Sequence, residues 1–383
     1  MKLETYRYLP QKGWSRPLDR SLDSEKTLVL LFADSDIYDT DDCMQELFNG
    51  FPLSKIVGCS TAGEIFEDEL YTGSIVVAVM KFESSYTKVV SSRVDSAKSD
   101  AVIGEELMER LCEDETPKAV LVFSDGLNVN GSELTKGINS RIQEFGDIVV
   151  TGALAGDEDR FISTWVVVDR KTEQNYVTAV GFYGDSLHVG CGSRGGWDRF
   201  GIDRKVTRAK GNILYTLDDK PALELYKRYL GEYARDLPAS GLLFPLLLKD
   251  KDGEPKVRTI VAINEEDSSI TYAGDIEEGS VASFMKANFD NLISGAESAA
   301  MQIDQNGYDG EDALLVAVSC VGRRLVLGQR SEDELEVVRD IFPPSVKMVG
   351  FYSYGEISTR NSGRCDLLNQ TMTLTLIWEK TSR

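Results

Sequence analysis

The residues of this chain best suited to chemistry sit in a phrase that occurs twice. Lys55-Ile56-Val57-Gly58-Cys59-Ser60-Thr61-Ala62-Gly63-Glu64-Ile65 and Lys347-Met348-Val349-Gly350-Phe351-Tyr352-Ser353-Tyr354-Gly355-Glu356-Ile357 share the form K-[IM]-V-G-x4-G-E-I. Cys59 could serve as a nucleophile if a base or a positive environment lowered its pKa. Glu64 and Glu356 could work together as the carboxylate pair of a hydrolase. Each could instead cap backbone amides of its own loop, or accept the amine of a small ligand. Ser60, Thr61, Tyr352 and Tyr354 place hydroxyls on the same two loops. For most of the six cysteines the plainer role is that of a small buried hydrophobe.

His188 is the single histidine, so a multi-histidine metal cluster is excluded and a histidine-based triad would have to use it. Alternation along Leu187-His188-Val189 turns the imidazole to the opposite sheet face from its neighbours. A lone imidazole can supply one axial ligand of a haem iron; a partly buried strand histidine is the commoner case. Gly190-Cys191-Gly192-Ser193-Arg194-Gly195 has GxGxxG spacing, but Gly196-Trp197-Asp198 opens no helix after it, so no dinucleotide site is expected. No Walker A sequence is present. Arg194, Arg199, Arg323 and Arg324 lie beside glycines. Their guanidinium forks suit carboxylates or haem propionates, although surface ion pairs are the usual use.

These residues need strands and helices to position them. The apolar run before each first glycine reads as a short buried strand that stops there, with the two glycines bracketing a loop. A fainter third copy runs from Asp147 to Asp157, with Gly152 and Gly156 one residue closer and Asp in place of Glu. Upstream of each copy lie an apolar strand and a helical stretch, and downstream lies another apolar strand. The unit is strand, helix, strand, loop, strand. The expected class is α/β (mixed α+β), with repeated modules forming mixed sheets covered by helices in two domains. The expected divisions are an N-terminal segment 1–26, a domain 27–200 and a domain 201–383, with the boundary in Gly195–Gly201. Ser74–Met80 and Thr87–Ser92 read as a meander, and Ser163–Asp169 with Gln174–Phe182 as a hairpin turning at Lys171-Thr172-Glu173. Ser280–Ile303 reads as one long helix.

The formal net charge of −21 over 383 residues argues against nucleic acid or an anionic membrane as partner. No signal peptide and no apolar run of membrane-spanning length is seen. The cysteines form no CxxC pair, which fits reduced thiols in a cytoplasmic protein. Oligomeric state is left open, a homo-oligomer included.

Several of these segments resemble the FIST domain (F-box and intracellular signal transduction), in both its N- and C-terminal parts. The resemblance rests on Gly58–Glu64, Gly195-Gly196-Trp197, Val206-Thr207-Arg208-Ala209, Leu217–Leu223, Val349–Ile357 and Leu368-Asn369-Gln370-Thr371-Met372-Thr373, in that order. It implies a bacterial sensory module, without enzymatic activity, that binds a small ligand and regulates a separate partner such as a histidine kinase or a diguanylate cyclase. Some relatives are haem-containing nitric-oxide sensors, which would make His188 the axial ligand here; Arg194-Gly195-Gly196-Trp197 stands where a ligating histidine would be sought. No kinase, cyclase or receiver segment is visible, so the resemblance implies a stand-alone sensor. On this reading the ligand meets Cys59, Ser60, Thr61, Glu64, Arg194, Trp197, Arg323, Tyr352, Tyr354, Glu356 and Asn369, at the glycine loops and the seam between domains.

Overall fold

A computed structural model describes residues 1–37, 42–95, 97–146, 148–249, 255–305, 307–308 and 310–380. Asp41, Ser96 and Asp147, where two expected helices and the third copy begin, lie outside them.

The two copies of the phrase and the fainter third each sit in a module with the same strand pairing. In the first, Thr27–Asp34 runs parallel to Lys55–Thr61 and antiparallel to Ile75–Lys81. In the second, Ala119–Ser124 runs parallel to Val149–Leu154 and antiparallel to Tyr176–Tyr183. In the third, Ala313–Cys320 runs parallel to Val346–Ser353 and antiparallel to Met372–Glu379. The helices Cys43–Gly50, Gly131–Phe145 and Ser331–Ile341 make the crossovers, as parallel pairing requires. An extra strand closes the outer side of each sheet: Lys2–Leu9, Tyr86–Arg93 and Leu187–Arg194 respectively. The expected meander is corrected here. Tyr86–Arg93 leaves the first sheet and pairs with Tyr176–Tyr183 of the second.

After its phrase each module sends an arm to another module's sheet. Glu64–Phe66 of the first pairs with Val346–Ser353 of the third. Gly355–Thr359 of the third pairs with Val149–Leu154 of the second. Val166–Val168 of the second meets Lys55–Thr61 of the first through Val166 and Cys59. The exchange closes a ring of three sheets with pseudo-threefold topology. It also corrects the expected hairpin: Val166–Val168 turns at Asp169 and Arg170, both at positive φ, onto Lys171–Glu173, while Tyr176–Tyr183 goes to another sheet.

The first glycine of each phrase lies inside the strand instead of ending it. A Cβ on Gly58 would stand 1.7 Å from the Leu31 carbonyl oxygen, on Gly152 2.0 Å from that of Val122, and on Gly350 1.7 Å from that of Ala317. Those residues are the parallel-strand partners of the three glycines. Glycine is required because neighbouring backbone fills the place of a side chain.

The inner sheet faces meet in a shared apolar core. Phe32, Phe123 and Phe351 touch there, with ring centroids 4.6 to 6.4 Å apart. Burying each such ring stabilises by roughly 2 kcal/mol. The helices cover the outer faces.

A lobe covering 198–286 is inserted before the third module. Its long strand Asp198–Lys210 pairs with Ile213–Leu217 and with Val281–Lys286, and the helix Ala222–Leu230 covers its core. The expected helix Ser280–Ile303 is therefore divided. Val281–Lys286 is a strand whose Ala282 and Phe284 face the lobe core, and the helix Phe289–Met301 begins only at the Asn288 cap. Pairing on both sides overrides the local helical preference.

Candidate functional site

The repeated loops are joints of the ring. Glu64 Oε2 accepts hydrogen bonds from Ser74 Oγ (2.7 Å) and Ser74 N (3.2 Å), and Oε1 accepts from Thr61 Oγ1. Glu356 repeats this pattern: Ser353 Oγ donates to Oε1 (2.8 Å), and Thr371 Oγ1 (2.9 Å) and N (3.2 Å) donate to Oε2. Each carboxyl thus ties the start of an arm to the residue before its module's last strand. Both are fully buried. Burial pushes Glu64 up to about 8 and Glu356 up to about 7, against the hydroxyl hydrogen bonds that lower them. They sit on different sheets, Glu64 opposite Phe351 and Glu356 opposite Ala153, and no hydrogen bond joins them. This arrangement does not make a hydrolase pair.

Cys59 faces the central apolar core, and burial pushes its thiol well up, the reverse of what a nucleophile needs. Ser60 Oγ accepts from Trp165 N (3.1 Å), holding the second module's arm. Arg323 is fully buried. Its Nε (2.9 Å) and Nη2 (2.6 Å) donate to Glu334 Oε2, Nη2 also donates to the Leu292 carbonyl (2.8 Å), and Nη1 donates to that of Gly195. Tyr352 Oη (2.9 Å) and Ser319 Oγ (2.8 Å) donate to Glu334 Oε1. Trp197 Nε1 donates to the Gln370 carbonyl at 3.0 Å. Trp197, Arg323 and Tyr352 therefore do come together, but as a filled latch. Asn369 is buried nearby in the chain; its Nδ2 donates to the Leu368 carbonyl (3.1 Å), while its Oδ1 and both amide atoms of Gln370 have no partner among the described residues. Arg194 is exposed at a strand end.

His188 is packed against an aromatic neighbour. Its ring lies flat on Trp378, with centroids 5.1 Å apart and planes at 13°. Burial and the positive charges of Lys118 and Lys380 hold its pKa below the ordinary value. Arg199, a candidate for propionates, is engaged by Asp203 and Ser283. Neither cavity described below is lined by His188. No cluster of three or more His, Cys, Asp or Glu suited to a metal ion occurs among the described residues.

Tyr354 is the expected site residue that opens on a cavity. A cleft of about 570 Å³ lies where ring and lobe meet. Its ring side is Gly126–Gly131, Asp100, Leu154, Phe161, Tyr354 and Leu367; its lobe side is Asn212, Val261 and Tyr272–Gly274. Phe161 stacks on Tyr354 with centroids 4.5 Å apart and planes at 16°. The loop carrying it is fastened by Asp157, whose carboxylate accepts from the amides of Phe161 (2.9 Å), Ile162 (2.7 Å) and Ser163 (2.8 Å), and from the Tyr354 hydroxyl. Phe161 has φ +54° and is 52% exposed. An exposed aromatic held in left-handed backbone is strained, and such strain gathers at ligand clamps. Asp100, Asn128, Asn130 and Phe161 were not singled out from the sequence. The apolar pair Phe161-Ile162 inside the polar stretch Asp157–Ser163 was the one signal for them.

Asn130 joins the cleft to the lobe. Its Oδ1 caps the helix Gly131–Phe145 by accepting from Ser132 N (3.0 Å) and Glu133 N (3.3 Å), and its Nδ2 donates to Asp275 Oδ1 (3.1 Å). Lys136 also pairs with Asp275 (3.1 Å), whose amide donates to Ser132 Oγ (3.1 Å). Burial alone would raise Asp275, but Asn130 and Lys136 hold its carboxyl below the usual range. Arg258 Nη1 donates to the Leu367 carbonyl (3.0 Å), and Lys256 pairs with Asp366 (3.0 Å). Beyond these contacts lies a larger groove of about 1000 Å³, lined by Lys136, Lys256, Arg258, Arg364, Asp275 and Asp366 among others.

Comparison with known families matches residues 27–220 to the FIST N domain and residues 222–359 to the FIST C domain. An uncharacterized protein of Methanocaldococcus jannaschii is 24% identical over 365 residues, covering 82% of this chain and 67% of its own length.

Proposed function

The chain belongs to the FIST family, whose domains are sensory modules of signal transduction, and on that premise we propose that it binds a small molecule in the cleft between ring and lobe. The observation that carries this reading is Phe161, strained and exposed, clamped onto Tyr354 at the cleft wall. The cleft volume is that of a small-molecule site. Both sides of the seam contribute walls, so a ligand touching both holds the lobe differently from the empty cleft. That difference in affinity is what allows ligand to change the protein's contact with a separate signalling partner, such as a histidine kinase or diguanylate cyclase. Turnover is not part of the proposal, because the buried Cys59 and the separated Glu64 and Glu356 provide no reactive group open to substrate.

Val261 is exposed on the lobe wall, so Val261→Trp fills the cleft without touching a core. In a thermal-shift screen against a panel of small amines, carboxylates, nucleosides and sugars, at least one compound class stabilises the native protein and fails to stabilise Val261→Trp. Stabilisation of both proteins alike would overturn the assignment of the site.

A further inference from the structure

We propose, resting on the cleft reading above, that the ligand is a small organic cation, an alkyl or arylalkyl amine, whose ammonium meets Asp100 and whose apolar part lies on Phe161 and Tyr354. Asp100 is the one charged residue among the described cleft-lining residues. Its Oδ2 accepts from Asn130 N at 2.8 Å, and its Oδ1 has no hydrogen-bond partner among the described residues. Burial raises its pKa, and so does Glu133 nearby, so the carboxylate lies in a field that no local cation offsets. The stacked Phe161 and Tyr354 rings give the cleft an aromatic wall for the hydrocarbon part of the ligand.

The same site is poorly made for anions. The helix that begins at Gly131 has its N-terminus at the cleft, yet the amides of Ser132 and Glu133 are taken by the Asn130 side chain, that of Leu134 by the Asn130 carbonyl, and that of Asn130 itself by Asp100. The cations of the seam lie in the neighbouring groove instead, beyond the bond from Arg258 to the Leu367 carbonyl. A carboxylate entering the cleft would meet Asp100, while the guanidinium of Arg258 behind Gly274 is already committed to the carbonyls of Asp275, Val257 and Leu367.

Three compounds of matched shape separate the terms: phenethylamine, 2-phenylethanol and 3-phenylpropionate. Titration calorimetry on the native protein is expected to show phenethylamine binding at least ten-fold more tightly than either analogue. Asp100→Asn, which keeps an acceptor for the Asn130 amide, should abolish that preference, and Phe161→Ala should weaken all binding several-fold. Equal or tighter binding of the alcohol or carboxylate, blocked by Val261→Trp, would overturn the cation proposal while leaving the cleft as the site. Binding of none of the three, or binding unaffected by Val261→Trp, would overturn the cation proposal and count against the cleft as well. If Asp100→Asn does not fold, the preference of the native protein among the three compounds decides.

Discussion

Arg323 and Glu334 form a fully buried ion pair that also fastens Gly195, Leu292, Tyr352 and Ser319. Removing one partner leaves the other charge buried and unpaired, which costs about 3–5 kcal/mol. Arg323→Met is expected to lose that much in urea denaturation, and Arg323→Met with Glu334→Leu should recover a large part of it. A role in binding an exposed ligand would leave stability nearly unchanged. The paired joints Glu64 and Glu356 make a second residue-scale prediction. Both folded pKa values lie above the unfolded value of 4.5, at about 8 and about 7. Their contribution is fully present below pH 4.5 and is lost as pH rises through the folded values. Stability should therefore decline from pH 5 to pH 8, and Glu64→Gln should flatten the decline. A slope identical in Glu64→Gln would show that the carboxyl is ionised in the fold.

At the scale of elements, the three in-strand glycines should respond alike. Gly58→Ala, Gly152→Ala and Gly350→Ala each drive a methyl into the neighbouring strand's carbonyl. Each is expected to cost about 3 kcal/mol or more, or to prevent folding; tolerance at Gly152 alone would mark the second module as less tightly built. The sequence showed the modules because Lys-x-Val-Gly and the apolar strands around it are local patterns. It could not show that strands run on through the glycines, since the reason is a carbonyl on another strand. Its reading of Ser280–Ile303 as one helix fails because both pairing partners of Val281–Lys286 lie far away in the chain. Of the residues proposed to hold ligand, Tyr354 alone was legible. Asp100 sits at the start of a helix and Phe161 in a loop, and only folding brings them beside the lobe.

For the whole molecule, the arm exchange binds the three modules into one cooperative ring, while the lobe rests on it through an apolar cluster, in which Leu247 and Met285 meet Leu292, Val326 and Leu327, and through a set of polar contacts at the seam. Asp275 takes two of these, from Asn130 and Lys136. Asp275→Ala is expected to raise amide exchange across the lobe's seam strands and leave the ring's central strands, such as Thr27–Asp34 and Ala313–Cys320, as protected as before. Loss of protection throughout would mean that ring and lobe unfold as one body. The family match supplies the sensory role, and the seam supplies an element whose position a ligand can bias. The most direct test of that account is to soak crystals of the protein with a mixed set of small fragments and map where they settle. The account predicts that they gather between Asp100, Phe161, Tyr354 and Val261. Fragments gathering against His188 or in the groove of Lys136 and Lys256, with the cleft bare, would contradict it.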